Sequence, residues 1–167
     1  MNHTQILLLK NMPIFHSVSD DGLEVILAGA ATVEKDAGEY FFRQGEEALY
    51  MYVIESGSAL VTKAWSDREA QLAQLGVGDC FGEMALISAS GRSASVRAET
   101  ACRAIEISSL NLQALKDHDV EQFIAVHQNI SRELCRRLLL ADDKRMAATE
   151  PRVTTSDEPQ LPWPPLM

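Results

Sequence analysis

Residues 81–96 read FGEMALISASGRSASV, and this segment decides how the rest of the chain is interpreted. Residues 83–87 favour a helix of only about one turn, although the segments on both sides have the composition of strands. A one-turn helix preceded by Gly82 leaves several backbone N–H groups without partners, and such groups form a natural seat for an anion. Arg92 then offers a fork of donors suited to a phosphate, and Glu83 offers a carboxylate that accepts from a hydroxyl. Together these groups suit a cyclic ribose phosphate.

Short runs rich in Val, Ile, Tyr and Phe surround this segment between Ala31 and Ile107, and Gly or Asp interrupts them about every eight to twelve residues. Regular spacing of this kind is typical of a β-barrel or a jelly roll. The predicted strands include residues 40–42, 49–54, 58–63, 71–75, 95–98 and 104–107. The predicted fold class is therefore mainly β with flanking helices, arranged as a jelly-roll-like β-barrel.

Helical patterns precede and follow this β region. Ser19 is a predicted N-cap for a helix that carries apolar residues on one face and ends near Gly29. Ser108 is the predicted cap of a short helix after the last strand. We therefore expect helices on both sides of the barrel in sequence.

A longer helix is predicted from about residue 120. Asp119 and Gln122 have the spacing of a capping box at its start. Apolar residues recur along it with helical periodicity and define one stripe. The stripe residues are Val120, Phe123, Ile124, Ile130, Leu134, Leu138 and Ala141.

These elements predict one domain over residues 1–145, with N-terminal helices at 5–29, a β-roll at 31–107 and C-terminal helices at 108–145. The remaining segment, residues 146–167, has four prolines among its last nine residues and few residues that form a core. Such a composition predicts a disordered tail.

The bulk composition limits the partners and the compartment. The formal net charge is −9 and the pI is about 4.9, so the chain repels DNA and anionic membranes unless a local basic patch opposes the field. Cys80, Cys102 and Cys135 form no CxxC pair, which is typical of reduced thiols in a cytosol. The N-terminus lacks the features of a signal peptide, and no apolar run is long enough to span a bilayer. We expect a cytoplasmic protein that binds neither DNA nor a membrane.

Enzyme functions find little support in the sequence. A metal-dependent cupin shares the barrel fold but needs histidines clustered on its strands. The four histidines, His3, His16, His118 and His127, all lie outside the predicted barrel. Neither a catalytic triad nor an acidic metal-binding cluster has a credible context here. We therefore expect no catalytic residues, no metal and no cofactor.

The runs FGEMALIS, at residues 81–88, and GRSASVRAET, at residues 91–100, closely resemble the phosphate-binding cassette of the cyclic nucleotide-binding domain family. That family includes protein kinase A regulatory subunits, the catabolite activator protein and cyclic nucleotide-gated channels. The resemblance extends to residues 42–46 and 50–57 and covers roughly residues 6–144. It implies a cyclic nucleotide, cAMP or cGMP, as the ligand, and a C-terminal helix that closes over it as a lid. Residues 81–96 are called the cassette below.

The resemblance also implies a role for each matching residue. Glu83 would accept from the ribose 2′-OH, with the Gly82 backbone beside it. The backbone N–H groups of Ala85 and Ala94 would hold the cyclic phosphate, whose charge would pair with Arg92. The Ser93 hydroxyl would assist. The full predicted ligand-binding set is Gly82, Glu83, Met84, Ala85, Arg92, Ser93 and Ala94.

The base and the lid are assigned from the same resemblance. The candidate base-pocket residues are Val61, Ala73 and Leu75. The lid candidates are Arg132, Leu134, Arg136 and Arg137. The arginines of this group also fit a solvated helix face. Ser93 does not separate cAMP from cGMP, and cAMP is favoured on its frequency in the family alone.

The predicted function is an intracellular cyclic nucleotide receptor that transmits ligand binding through its C-terminal helix to an effector protein. The apolar stripe of that helix is also compatible with a homodimer. An alternative of a different class is a ligand-free interaction module with the same fold. A transcription regulator of the catabolite activator type is less favoured, because only about twenty Pro-rich residues follow the long helix and the chain is acidic.

Overall fold

A computed structural model of the chain describes residues 3–88 and 91–149. The helices are α1 (His3–Lys10), α2 (Asp20–Ala28), α3 (Ser109–His118) and α4 (Val120–Thr149), with 3₁₀ turns at Pro13–Phe15 and Glu83–Leu86. The strands are β1 (Ala31–Lys35), β2 (Tyr40–Phe42), β3 (Tyr50–Ser56), β4 (Ala59–Trp65), β5 (Arg68–Leu75), β6 (Cys80–Phe81), β7 (Ser95–Ala98) and β8 (Cys102–Ser108).

The eight strands form two antiparallel sheets of four strands each. Sheet A has the order β1-β8-β3-β6, and sheet B has the order β2-β7-β4-β5. Strands that follow one another in sequence therefore alternate between the sheets in most places, as in a jelly roll. The predicted jelly-roll-like fold with flanking helices is confirmed.

The space between the two sheets is filled by apolar side chains from both. Phe42, Ala59 and Val96 contribute from sheet B, and Tyr52 and Ala104 contribute from sheet A. Neighbouring residues on a strand point to opposite faces, so every second residue of each strand enters this interior. Side chains of residues 81–96 also enter this interior.

Sheet A is buried on its other face as well. Met51 and Val53 alternate with the inward-facing Tyr52 and Ile54, and all four are buried. On this outer face α1 contacts β3 and α3 contacts β8. The helical layer therefore covers sheet A, which explains why β3 is apolar at consecutive positions rather than at alternate ones.

Two of the predicted helix caps are present, and one is stronger than predicted. The Ser19 side chain accepts from the Gly22 N–H at 3.1 Å and caps α2. The Ser108 hydroxyl accepts from the Asn111 N–H, and the Asn111 side chain accepts from the Ser108 N–H at 2.7 Å. This second pair is a reciprocal capping box at the start of α3.

The predicted capping box at α4 forms only in part. The Asp119 carboxylate accepts from the N–H groups of Glu121 and Gln122. The bond from the Gln122 side chain, followed by these backbone bonds, lowers the pKa of Asp119. The Gln122 side chain does not return to the Asp119 N–H. It donates to the Asp119 carboxylate at 2.8 Å and accepts from the Ser19 N–H, also at 2.8 Å. Gln122 therefore joins the start of α4 to the start of α2, a contact that local sequence spacing does not encode.

The buried face of α4 differs from the predicted apolar stripe. Val126 and Ile130 are fully buried, but Val120 and Ile124 are about half exposed. Asn129 is buried on the same face as Val126 and Ile130. The predicted stripe places the buried face too far towards Ile124, because it was built from apolar residues only and therefore leaves out the polar Asn129.

Asn129 fastens α4 to the segment that precedes α2. Its side-chain amide donates to the Ile14 carbonyl at 3.2 Å and to the His16 carbonyl at 2.8 Å. Its side-chain oxygen accepts from Arg132 at 2.9 Å. A buried amide whose donors and acceptor are satisfied in this way stabilises one packing arrangement over others.

The described residues divide into two compact units, which fall within Met1–Glu133 and Leu134–Met167. The first unit contains both sheets, α1 to α3 and the first part of α4. The second contains the rest of α4, which continues past Met146, where the tail was predicted to begin. Residues 150–167 of the predicted tail lie outside the described residues, and the domain bounds 1–145 stay a prediction. Among the described helices, none is long and apolar enough to cross a bilayer.

We predict that Asn129→Ala lowers the free energy of unfolding by about 1–3 kcal/mol, because the buried Ile14 carbonyl and the His16 carbonyl lose their donor. Urea denaturation of the variant and the wild type measures this change. Gln128→Ala, at an exposed neighbouring position on the same helix, is the control and should change stability by less than about 0.5 kcal/mol. Equal effects of the two substitutions would contradict the assigned role.

Candidate functional site

The cassette begins with a sharp change of backbone direction at the end of β6. Gly82 has φ +76° and ψ 14°, in the left-handed region that favours glycine. The 3₁₀ turn Glu83–Leu86 follows at once, and the Ala85 N–H donates to the Gly82 carbonyl at 3.0 Å. The helical segment predicted at 83–87 is thus present as a single tight turn.

Arg92 lies beneath this turn with its side chain inside the protein. It is 7% exposed, and its Nη1 donates to the Gly82 carbonyl at 3.4 Å. The guanidinium carbon lies 3.8 Å from the centroid of the Phe42 ring, within the range of a cation–π contact. Within the part of the chain that the structure describes, the Nε of Arg92 is the buried side-chain nitrogen or oxygen that has no hydrogen-bond partner. Buried polar atoms are nearly always hydrogen-bonded, so this donor suits an acceptor supplied by a ligand.

The backbone of Arg92 is held from the loop between β2 and β3. The Arg92 N–H donates to the Glu46 carbonyl at 2.9 Å, and the Gly45 N–H donates to the Arg92 carbonyl at 2.9 Å. These two bonds form a short antiparallel pair outside both sheets. They fix the position of the Arg92 backbone and therefore the point at which its side chain enters the interior.

The end of the cassette is joined to its neighbours by a glutamine. The Gln44 N–H donates to the Ser95 hydroxyl at 2.9 Å. The Gln44 side chain accepts from the Ala64 N–H at 3.0 Å and donates to the Ala64 carbonyl at 3.4 Å. The Gln44 side chain thus makes the hydrogen bonds to β4 that a neighbouring strand would otherwise make, at the point where β7 begins.

The charged groups around the Arg92 guanidinium are mainly negative. Burial lowers the pKa of the Arg92 guanidinium below its ordinary value. Interactions with Tyr52 and with the carboxylates of Glu46, Glu106 and Glu83 oppose this shift. One buried cation therefore lies within the field of three carboxylates, of which Glu83 is only 4% exposed. A cation in this setting stays charged and is positioned to bind an anion.

Tyr52 and Glu106 are direct cross-strand partners on β3 and β8. Burial and the neighbouring Glu106 carboxylate raise the pKa of the Tyr52 hydroxyl above its ordinary value. The hydroxyl is therefore a neutral donor at physiological pH. Its ring centroid lies 6.0 Å from the guanidinium carbon of Arg92, so the pair borders the same space.

An aromatic cluster forms the floor under the guanidinium. Tyr52 and Phe81 stack with their centroids 5.2 Å apart, and Phe41 meets Phe81 edge to face at 5.1 Å. Phe42 lies 6.0 Å from Tyr52 and contacts Arg92 directly. Four rings that pack against one another leave little freedom to the side chain above them.

The predicted base-pocket residues lie together on the inner face of sheet B. Val61 is the register partner of Ala73 on β5 and of Val96 on β7, and Leu75 is the partner of Ala59. Ala59 and Val96 are buried in the interior, so the same face carries all of these residues. Val61 and Leu75 are half-buried against the interior cluster. Their assignment to a base pocket stays a prediction.

The remaining predicted ligand residues occupy different environments. Met84 is 41% exposed, Ser93 is exposed and Ala94 is half-buried. The Ala85 N–H, predicted to hold a phosphate, already donates to the Gly82 carbonyl, so a ligand would have to share this donor. The structure thus brings Gly82, Glu83 and Arg92 together most directly.

The lid candidates are divided between the two units. Arg132 belongs to the first unit and donates to Asn129, so it supports the helix packing described above. The other three candidates, Leu134, Arg136 and Arg137, belong to the second unit. Their role over the ligand stays a prediction.

Several residues that shape this site were missed from the sequence. The cross-strand register places Phe42, Tyr52 and Glu106 close to Arg92. The sequence alone does not determine this register. The sequence contains one indication of the role of Glu106. It is the single charged residue in the run Ala104-Ile105-Glu106-Ile107. A carboxylate at an inward position of a buried strand indicates a partner inside the fold.

Comparison with protein families gives a match that includes residues 81–96. The model of the cyclic nucleotide-binding domain matches residues 32–119, more than half of the chain.

The chain belongs to the cyclic nucleotide-binding domain family.

Relatives of this cyclic nucleotide-binding domain occur in larger proteins. It is 34% identical to the cAMP-dependent protein kinase type II regulatory subunit of Drosophila melanogaster over 54% of the chain and 24% of that protein. It is 29% identical to the cyclic AMP receptor protein of Thermus thermophilus over 80% of the chain and 61% of that protein. The chain thus spans less than two thirds of either relative.

A solved structure agrees with this assignment. The regulatory domain of Toxoplasma gondii PKA with cAMP superposes with a TM-score of 0.68 and 25% identity, over 78% of this chain and 48% of that one. The prediction of the family from residues 81–100 is therefore confirmed.

We predict that Gly82→Ala destabilises this cyclic nucleotide-binding domain more than Gly38→Ala does. Both glycines have positive φ, +76° and +94°, so both variants carry the left-handed strain of about 1–2 kcal/mol. A Cβ at residue 82 would also lie 2.7 Å from Nη1 of Arg92, whereas a Cβ at residue 38 meets nothing within 4 Å. We expect an additional loss of about 1 kcal/mol or more at residue 82, measured by urea denaturation. Equal losses would show that the close approach to Arg92 places no constraint on the turn.

Proposed function

We propose that the protein is a cyclic nucleotide receptor that binds cAMP in preference to cGMP. The observation that carries this proposal is the buried guanidinium of Arg92, which lies directly under the Gly82 turn and whose Nε has no hydrogen-bond partner among the described residues. A phosphate oxygen supplies the acceptor that this donor lacks. The family membership supports a cyclic nucleotide as the source of that phosphate.

The ribose is the second group that the site suits. Glu83 is 4% exposed and is the first residue of the 3₁₀ turn, and Arg92 donates to the carbonyl of the preceding Gly82, so the carboxylate and the guanidinium lie next to the same turn. A carboxylate accepts from the 2′-hydroxyl, and a guanidinium donates to the phosphate on the other side of the same sugar. This pairing requires both a ribose and a phosphate and disfavours either one alone.

The preference for cAMP is supported by the inner face of sheet B. Val61, Ala73 and Leu75 are apolar, and their side chains provide no hydrogen-bond donor for the carbonyl oxygen of guanine. The names of relatives point the same way only in part, since a cGMP-dependent protein kinase of Toxoplasma gondii also matches at 32% identity.

We propose that the output passes through α4 to another protein, and that the receptor has no catalytic activity of its own. Leu138, Leu139 and Leu140 are each about half exposed or more, which favours a protein partner or a second copy of the chain. The net charge of −9 disfavours direct binding to DNA. The described cysteines are free thiols, as expected of a cytoplasmic protein.

A ligand-free interaction module is the second candidate, and the exposed leucines of α4 are the observation that favours it. Thermal unfolding with a panel of nucleotides separates the two candidates. A ligand that binds only the native state raises the apparent melting temperature. A rise with cAMP supports the receptor, and no rise with any cyclic nucleotide supports the module.

We predict that Arg92→Ala weakens cAMP binding by at least about thirtyfold. Removal of one partner of a buried charge pair costs about 2–5 kcal/mol, and each 1.4 kcal/mol is about tenfold in affinity. Isothermal titration calorimetry of both proteins measures the change, with a melting curve to show that the variant is folded. Arg97→Ala is the matched control, because Arg97 alternates with the inward-facing Val96 and Ala98 and points to the outer face of sheet B. Equal affinities of wild type and Arg92→Ala would exclude the assigned site.

We predict that Glu83→Gln removes the discrimination between cAMP and 2′-deoxy-cAMP. The wild type should bind cAMP at least about tenfold more tightly than the deoxy analogue, since hydrogen bonds to charged groups contribute about 1.5–3 kcal/mol. The variant should bind the two ligands within about threefold, by the same titration. Glu69→Gln, at an exposed position on β5, should retain the wild-type ratio. An unchanged ratio in Glu83→Gln would show that the carboxylate does not contact the ribose.

A further inference from the structure

Lys63 lies on β4 next to the point where the cassette joins the sheet. Its predecessor Thr62 is the register partner of Ser95, the first residue of β7, and Ala94 directly precedes Ser95. The pairing of β4 with β7 ends at Thr62 and Ser95, so Lys63 and Ala94 are the next residues along the two chains beyond the last pair. Ala94 is one of the residues predicted to hold the phosphate.

The side chain of Lys63 belongs to the inner face of sheet B. Residues two apart on a strand point to the same face, and Ala59 and Val61 both enter the interior cluster. The register with β7 runs from Ala59 to Thr62 without a shift, so β4 itself is regular here. The bulge in the pairing with β5 adds its extra residue, Leu72, to β5. Lys63 therefore continues the inward series and is half-buried.

The ammonium group of Lys63 has no partner among the residues that the structure describes. In residues 3–88 and 91–149, Lys63 makes neither a hydrogen bond nor an ion pair. Lys10 by contrast pairs with Asp20 on the surface. A half-buried lysine usually keeps its charge near water or near an acid. A lysine that faces the interior with no acid bound to it is thus available to an anion.

The charge balance of the site favours a second cation. Arg92 lies within the field of three carboxylates, Glu46, Glu106 and Glu83. A cyclic phosphate adds a further negative charge to this group. Arg92 alone leaves the occupied site strongly negative, and a second positive group close to the phosphate offsets part of that repulsion.

We propose that Lys63 is a second cationic contact of the cyclic phosphate, opposite Arg92. The proposal rests on the proposed function, since it adds a residue to the same site. Lys63 and Ala94 each lie one residue beyond a cross-strand pair, in which the Cα atoms are about 4.5–5.5 Å apart, and the four-carbon stem of lysine spans such a distance with its ammonium beyond it. Lys63 acts on the ligand directly and as a flexible point charge, whereas Arg92 acts as a fixed fork.

Titrations of Lys63→Met, Lys63→Arg and the wild type with cAMP test this proposal. Methionine keeps the unbranched stem and removes the charge. We expect Lys63→Met to bind about tenfold more weakly, Lys63→Arg to lose about threefold or less, and the difference to shrink as salt is raised. Lys35→Met is the matched control, a half-buried lysine at the edge of sheet A, and should bind as the wild type does.

Phosphorothioate analogues identify the atom that Lys63 contacts. In the Sp and Rp forms of cAMP, one or the other exocyclic phosphate oxygen is replaced by sulfur, which is a weaker acceptor. We expect Lys63→Met to abolish the discrimination against one of the two forms while it leaves the other unchanged. A contact with the base would instead change the ratio of cAMP to cGMP affinity in Lys63→Met and leave the phosphorothioate ratios intact.

Two failures are distinguishable. If the wild type binds cAMP and Arg92→Ala does not, but Lys63→Met binds within twofold of the wild type, the role of Lys63 is excluded and the receptor function stands. A change confined to the base preference, or an equal loss in Lys35→Met, also excludes it. If the wild type binds no cyclic nucleotide, the receptor function and the role of Lys63 are both excluded.

Discussion

The burial of one guanidinium is the constraint on which the rest of this site depends. Arg92 is almost completely removed from water, and burial opposes its charge. The protein compensates with the ring of Phe42, the carbonyl of Gly82 and a set of nearby carboxylates. None of these groups reaches Nε. The protein therefore keeps a charged donor in an apolar interior with its hydrogen-bonding capacity incompletely used, which is typical of a preformed anion site.

The two faces of sheet A connect this interior to the helices of the first unit. Tyr52 and Glu106 border the space near Arg92, while the alternate residues Met51, Val53 and Ile107 are buried on the opposite face. A displacement of one of these strands therefore moves both faces together, because packed interiors do not absorb strain locally. The side chains of Gln122 and Asn129 in turn tie the start of α4 to the segments around α2. Within Met1–Glu133, the strands that border the site and the helices that cover them form one packed unit.

Local features of this fold were predictable from sequence, and non-local ones were not. The turn at Gly82, the caps at Ser19 and Ser108 and the strand pattern depend on residues close together in the chain, so composition and spacing indicate them. The roles of Tyr52 and Glu106 depend on the register of β3 with β8. The same sequence pattern is compatible with several registers, so the sequence alone does not select this one. Gln122 was assigned to a capping box because it has the correct spacing, but a closer partner in space, Ser19, takes its side-chain oxygen.

The pair of backbone bonds between Arg92 and the Gly45–Glu46 loop has a consequence for folding. These residues are far apart along the chain, and both strands that flank the loop must pair before the loop has a fixed position. Contacts between distant segments form late, since the loop that they close must lose its freedom first. Local features such as the helical caps can therefore be in place without fixing the position of Arg92. The position of the Arg92 side chain therefore depends on the assembled topology and not on the cassette alone.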